Sequence, residues 1–259
     1  MAMINNIHLH IEQAEKAVAS VENIKRDKLI WSAFYGCFEY RFCWSSNSLE
    51  GNTLSLDETI AVVDFDEVSS GHTYSEYRDA KNLYRAIRET LSASPLEITE
   101  PWIQRVNGII CGTSGAYRAE DVYIGSAADA IFFPPKHVEV PKRMRDHVEK
   151  LNSLRFDGFA DAVQGIAESH ILFERIHPFT DGNGRTGRII MNQMLMNNGI
   201  LPAAISNTSK YRQAFRAYDR NQDISLLVLL LCDALKESAQ SLTECYAKRE
   251  RDYNSEGSG

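Results

Sequence analysis

His177-Pro178-Phe179-Thr180-Asp181-Gly182-Asn183-Gly184-Arg185-Thr186-Gly187-Arg188 is the stretch on which the fold turns. It is polar and rich in glycine. Apolar residues at helical spacing flank it, from Phe159 to Ile176 before it and from Thr186 to Asn198 after it, with Gly199 as the stop. One helix ending at the histidine and another starting near Gly184 place the loop at a helix N-terminus. Unpaired backbone N–H groups and a partial positive charge make such an end a phosphate site. Gly182 and Gly184 let the backbone approach an anion closely. Arg185 and Arg188 are three apart, hence on one helical face, and are expected to grip phosphate oxygens together. Asp181 is a hard oxygen ligand suited to Mg²⁺, which usually takes one or two carboxylates beside phosphates. His177 can accept a proton near neutral pH. Base, metal ligand, anion cradle and two arginines in this order describe a phosphoryl- or nucleotidyl-transfer site.

Each piece alone has a plainer meaning. A histidine at a helix end is usually a cap or a core residue, and Asp-Gly-Asn-Gly is most often a turn. Two arginines at helical spacing are usually a solvated face. A calcium loop is spoiled because its fifth ligand position falls on Arg185, and no G-x-x-x-x-G-K-[ST] is present. Only the co-occurrence in this order is specific.

Outward from the loop, helical periodicity continues. Ile11 to Trp44 contains no proline and one glycine, Gly36, and reads as one or two long helices. Ser55-Leu56-Asp57-Glu58 has capping-box spacing. Tyr74 to Leu91 is expected to be helical. Thr99-Glu100-Pro101 suits an N-cap followed by proline in the first turn, and Gly112 suits that helix's end. Further helices are expected at Pro141 to Arg155, Tyr211 to Tyr218 and Ile224 to Tyr246. Residues 251–259 read as a disordered tail.

One segment departs from this pattern. Val122-Tyr123-Ile124 and Ile131-Phe132-Phe133 are short β-prone runs on either side of Gly125-Ser126-Ala127-Ala128-Asp129, and Pro134-Pro135 closes the second. A lone hairpin is marginal unless it packs on something or receives a partner strand. The expected class is all-α with one β-hairpin.

Bulk properties exclude other classes. The 259 residues are enough for one large domain, and 44% hydrophobic and 24% charged residues suit a globular chain. A net charge of −7 argues against a broad nucleic-acid surface. Five cysteines without a C-x-x-C argue against a disulfide framework or structural zinc. Met1 to Ile11 lacks the pattern of a signal peptide, and Ile224 to Leu235 is too short and too charged to span a bilayer. Neither nucleic acid nor membrane is expected as a partner, and a cytoplasmic setting is expected.

The quoted stretch resembles the full signature of the Fic family, H-P-F-x-[DE]-G-N-G-R-x-x-R, without departure. Val122 to Pro135 resembles that family's flap hairpin, and the helices around Tyr211 and Tyr218 are also similar. The likeness covers roughly residues 31–244. It implies a Fic-type helical bundle, with N-terminal helices over 1–54, a catalytic domain over 55–250 and a tail over 251–259. It implies protein adenylyltransferase activity, in which AMP from ATP passes to a Ser, Thr or Tyr hydroxyl of a target protein. His177 would be the base and Asp181 would hold Mg²⁺ at the α- and β-phosphates. Gly182, Asn183 and Gly184 would form the anion hole, with Arg185 near the β-phosphate and Arg188 at the γ-phosphate. Phe179 would anchor the loop in the core. The flap residues Val122, Tyr123, Ile124, Ile131, Phe132 and Phe133 would dock an unidentified target by strand addition. Family members often dimerise, so a homodimer stays open. Tyr211 or Tyr218 borders the adenine or belongs to the core.

A second motif, Ser46-Asn47-Ser48-Leu49-Glu50-Gly51, resembles the family's inhibitory helix. Ser46 and Glu50 are four apart and so share a face. The resemblance implies that Glu50 pairs with Arg188 and denies that arginine to the γ-phosphate, in cis. The plainer alternative is a helix end with Gly51 beyond it and Glu50 in solvent. Other functions stay open: removal of AMP with Glu50 positioning a water, transfer of UMP, phosphate or phosphocholine, and a nucleotide-sensing or toxin-like interaction module.

Overall fold

A computed structural model describes residues 2–125 and 132–256. The helices are α1 (Ala2–Ser20), α2 (Glu22–Lys25), α3 (Lys28–Leu49), α4 (Leu56–Phe65), α5 (Tyr74–Thr90) and α6 (Glu100–Cys111). They continue with α7 (Val140–Ser153), α8 (Phe159–Ile176), α9 (Asn183–Asn197), α10 (Thr208–Asn221) and α11 (Ser225–Glu256). A 3₁₀ turn, His137–Glu139, leads into α7.

Local chemistry explains most boundaries. Ser55 and Glu58 form the expected capping box at the start of α4. The Thr99 side chain accepts from the Trp102 N–H at the start of α6, and Gly112 ends that helix at φ 66°. The long helical stretch expected from Ile11 to Trp44 is broken twice. Asp27 causes the second break: its carboxylate accepts from the N–H groups of Leu29 and Ile30 and restarts the chain as α3. At the other end α11 runs to Glu256, so residues 251–256 are helical, where the sequence suggested a disordered tail; residues 257–259 lie outside the described residues.

Helix α9 is the axis of the bundle. Nearly every residue from Asn183 to Met196 is buried, polar ones included. A helix buried all round has other helices on every side, and α3, α6 and α8 pack against it. The main apolar core runs from Ile11 to Leu242 and joins residues of α1 and α3 to those of α5 through α11, while Leu54, Val62, Tyr77 and Ala80 form a second, smaller cluster. Among the described residues, no helix is long and apolar enough to cross a membrane.

The expected hairpin is reduced to one antiparallel bridge among the described residues. Ile124 and Phe132 exchange N–H···O bonds of 2.9 and 3.0 Å. Val122, Tyr123 and Phe133 carry no strand pairing, and Ile131 lies outside the described residues. The composition accounts for this: Pro134 and Pro135 lack the donors needed to extend the ladder.

Candidate active site

The loop between α8 and α9 is held by its own backbone and by α6. His177 ends α8 in the left-handed region, at φ 48°, a position that costs a non-glycine residue. Its N–H still bonds the Phe173 carbonyl. Asn183 folds back across the loop: its side chain accepts from the Phe179 N–H at 2.9 Å and donates to the Phe179 carbonyl at 2.8 Å. Phe179, 1% exposed, thereby plugs the core beside Tyr117. Asn107 of α6 donates to the Asp181 carbonyl and to Thr186 Oγ1. Gly182 sits over α6 at φ 74°, where a Cβ would meet Cys111 Sγ at 2.7 Å. Only glycine satisfies both the backbone and the contact.

The histidine is half-buried beneath this loop. Burial pushes the His177 imidazole down to about 4; the nearby Glu174 carbonyl opposes the shift and Arg118 adds to it. The ring is therefore neutral at pH 7 and able to take a proton. Arg118, with a side chain 1% exposed, fastens the site from behind. It donates from Nε to the His177 carbonyl at 2.9 Å and from its backbone N–H to the Pro178 carbonyl at 2.9 Å. It also donates to the carbonyls of Glu120 and Pro135, at the base of the bridged segment.

The two signature arginines point to different partners. Arg188, 1% exposed, donates from Nε to Ser46 Oγ and from Nη2 to the Ser46 carbonyl, both at 2.8 Å. Nη2 also meets Glu50 Oε1 at 2.7 Å, and Nη1 donates to the Tyr211 hydroxyl at 3.2 Å. Glu50 is the residue after α3, with Gly51 beyond it at φ 98°, so the helix-end geometry and the ion pair coexist. The Glu50 carboxylate lies against Gly184, where a Cβ would stand 2.1 Å from Oε1. Arg185 turns the other way. Its guanidinium sits 3.3 Å from Asp79 and 3.4 Å from Asp181, and it does not line the cleft that Arg188 faces. The shared face expected from the spacing is overridden by the acid on α5.

That cleft, about 610 Å³, is lined by Glu50, His177, Asp181, Gly182, Asn183, Gly184 and Arg188. Ile124, Phe132, Tyr211, Phe215 and Asp219 line it too. It thus collects the candidate base, the glycine loop and the Glu50–Arg188 pair. Asp181, its side chain 75% exposed, is accessible at the rim. Among the described residues no group of three His, Cys, Asp or Glu could hold a metal alone. A lone accessible carboxylate fits Mg²⁺ brought in with phosphates.

Several residues here lack any local motif. Glu174 is 9% exposed, and burial pushes its carboxyl up to about 8, against the pull of Arg188; Oε1 has no hydrogen-bond partner. Tyr211 is buried, with His170 Nε2 2.6 Å from its hydroxyl, so it supports Arg188 from the core. Asn107 and Glu174 carry one legible signal, a polar residue interrupting an apolar helical stripe (Ile103, Val106, Ile110; Val163, Ala167, Ile171). Arg118 has none.

A model described as the Fic/DOC family matches residues 96–195. The chain is 33% identical over 202 residues to a probable protein adenylyltransferase of Aquifex aeolicus, covering 77% of this chain and 60% of that protein. It is 30% identical over 174 residues to the protein adenylyltransferase Fic of Nematostella vectensis, covering 64% of this chain and 39% of that one. It therefore spans less than two thirds of either relative. A Fic domain containing signaling protein from Bacteroides thetaiotaomicron superposes with a TM-score of 0.76, over 92% of this chain and 97% of that structure. At 22% identity, that likeness concerns the fold.

Proposed function

Because the chain belongs to the Fic/DOC family, we propose that it moves AMP from ATP to a hydroxyl side chain of a target protein and that Glu50 restrains the transfer in cis. The observation that carries this reading is the meeting of His177, the α9 N-terminus and the Glu50–Arg188 pair in one cleft. The neutral imidazole of His177 takes the proton of the target hydroxyl. The freed oxygen attacks the α-phosphorus of ATP in line, and pyrophosphate leaves. The backbone N–H groups at the start of α9 receive the charge that builds on the phosphoryl oxygens. Asp181 would hold Mg²⁺, which would supply charge neutralisation for the phosphates.

Glu50 occupies the space that such a substrate needs. Its carboxylate lies over Gly184 and neutralises Arg188, so a γ-phosphate has to displace it. A target main chain is expected to pair with the segment around Ile124 and Phe132, which borders the same cleft. Incubation with ATP labelled at the α-phosphate and Mg²⁺, comparing the wild type with Glu50→Gly, tests the assignment. Label is expected on protein hydroxyls and stronger in the variant; label from the γ-position instead would point to phosphate transfer.

AMP removal is the second reading. It is favoured by the exposure of Glu50, whose side chain is 43% accessible in the cleft and can meet a water. A fall in AMP removal in Glu50→Gly would support it.

A further inference from the structure

Arg175 lies in the last turn of α8, two residues before His177. Its guanidinium is forked onto Asp219 of α10, Nε to Oδ1 and Nη2 to Oδ2, both at 2.7 Å. This fork fixes the plane of the guanidinium. Two rings use that plane. Phe132 stands with its centroid 4.4 Å from the Arg175 carbon, and Phe215 of α10 stands at 4.8 Å. Phe132 is also the residue that exchanges both backbone bonds with Ile124. Phe132 and Arg175 line the active-site cleft and also a neighbouring groove of about 520 Å³, so they form the partition between the two.

The bridge needs such a support. One antiparallel residue pair has little stability of its own. Arg118 holds the base of the segment through the carbonyls of Glu120 and Pro135. Among the described residues, Arg175 holds it further out, through the Phe132 ring.

We propose that Arg175 is a positioning residue, which ties the Ile124–Phe132 pairing edge to the end of the helix that carries His177. The proposal rests on the transfer reading above: a target strand paired on this edge must present its hydroxyl to His177. Reacting groups tolerate little misplacement, and about 1 Å can cost roughly 10²-fold in rate. Anchoring the edge two residues from the base removes a source of that error. Asp219 serves the same end by orienting Arg175, and Phe215 backs the stack.

The first readout needs no substrate. Hydrogen exchange of the Ile124 and Phe132 amides is measured in the ligand-free wild type, Arg175→Ala, Arg175→Lys and Asp219→Asn. Exchange at these two amides is expected to speed up at least tenfold in Arg175→Ala, with α8 and α9 amides unchanged. Asp219→Asn should fall between, and Arg175→Lys should recover only part of the protection, since an ammonium lacks the planar fork. Unchanged exchange in Arg175→Ala overturns the proposal. The second readout is made in the Glu50→Gly background. Arg175→Ala should lower self-transfer from α-labelled ATP at least tenfold, while calorimetric ATP affinity stays within threefold. Equal losses in ATP affinity and transfer would assign Arg175 to the nucleotide and overturn the positioning role. No transfer at all in the Glu50→Gly parent would instead count against the proposed function, and the exchange result would then decide the place of Arg175 on its own.

Discussion

Removing the carboxylate of Glu50 tests the restraint most directly. The Glu50–Arg188 contact is 2.7 Å, but its two ends differ: Arg188 is 1% exposed and the Glu50 side chain 43%. A charge-assisted hydrogen bond contributes about 1.5–3 kcal/mol. With one partner more than a third exposed, screening lowers this to about 1–2 kcal/mol. At about 1.4 kcal/mol per factor of ten, transfer should rise roughly 5- to 30-fold in Glu50→Gly. The same change leaves a buried guanidinium with only neutral partners: Ser46 Oγ, the Ser46 carbonyl and Tyr211. Stability should therefore fall by about 1–3 kcal/mol, less than the loss for a fully buried pair. Glycine after α3 adds backbone freedom worth about 0.5–1 kcal/mol. Glu50→Gln isolates the charge: it keeps an acceptor, should relieve the restraint in part and should spare the backbone term. ATP with Mg²⁺ should raise the melting temperature more in Glu50→Gly than in the wild type, because a phosphate then replaces the missing anion. The assays are initial-rate transfer from α-labelled ATP and thermal unfolding with and without nucleotide. Transfer at or below the wild-type level in both variants at saturating ATP would refute the reasoning. Ser46→Ala removes one neutral acceptor and should have a smaller effect of the same sign.

His177→Asn, which tolerates the left-handed backbone better than alanine, should lower transfer by about 10²–10⁴-fold without unfolding the chain; initial rates and circular dichroism check this. Since the His177 pKa is depressed to about 4, the transfer rate in the Glu50→Gly background should show no loss from His177 protonation between pH 8 and pH 5. Stability should vary with pH in two opposed ways. His147 and His177 are pushed by burial to about 4 and His170 to about 3, so the unfolded chain binds more protons below pH 6.5 and stability falls on acidification from there to pH 4. Glu174, raised to about 8 by burial, reverses the sign: the folded chain holds its proton, and this contribution is lost as pH rises from 4.5 through 8. Denaturant titrations should thus give a maximum near pH 6.5, and Glu174→Gln should flatten its alkaline side. Arg118→Lys keeps a charge but cannot reach three carbonyls in one plane, and denaturant midpoints should show a loss of about 2–4 kcal/mol.

What the sequence disclosed was local. Thr99 and Pro101 marked the start of α6, Ser55 and Glu58 that of α4, and Phe159 to Ile176 proved to be α8 itself, because caps and apolar spacing act within a few residues. The start of α9 was legible from the glycine loop rather than from apolar spacing: a helix was expected near Gly184, and it opens at Asn183, whose side chain is spent on Phe179. Spacing also joined Arg185 to Arg188, and only the fold shows Asp79 drawing Arg185 aside. The Glu50–Arg188 contact spans 138 positions, and no periodicity could supply it; the two motifs became one site only through α3 packing on α9. Arg118 and Arg175 act on backbone and rings far along the chain, where no pattern connects them.

The carboxylate resting on Gly184 has one further consequence. Under the proposed function it is a competitor tethered to its own receptor, so its potency is an effective concentration set by how tightly the end of α3 is held. Phe34, Phe38, Phe42 and Leu49 bury that helix in the core, which leaves the carboxylate little volume to explore. Nucleotide concentration alone then acts on it only gradually, and anything that loosens the final turn of α3 acts on it steeply. A partner or modification touching Asn47 to Asn52 would set the output without approaching His177 at all.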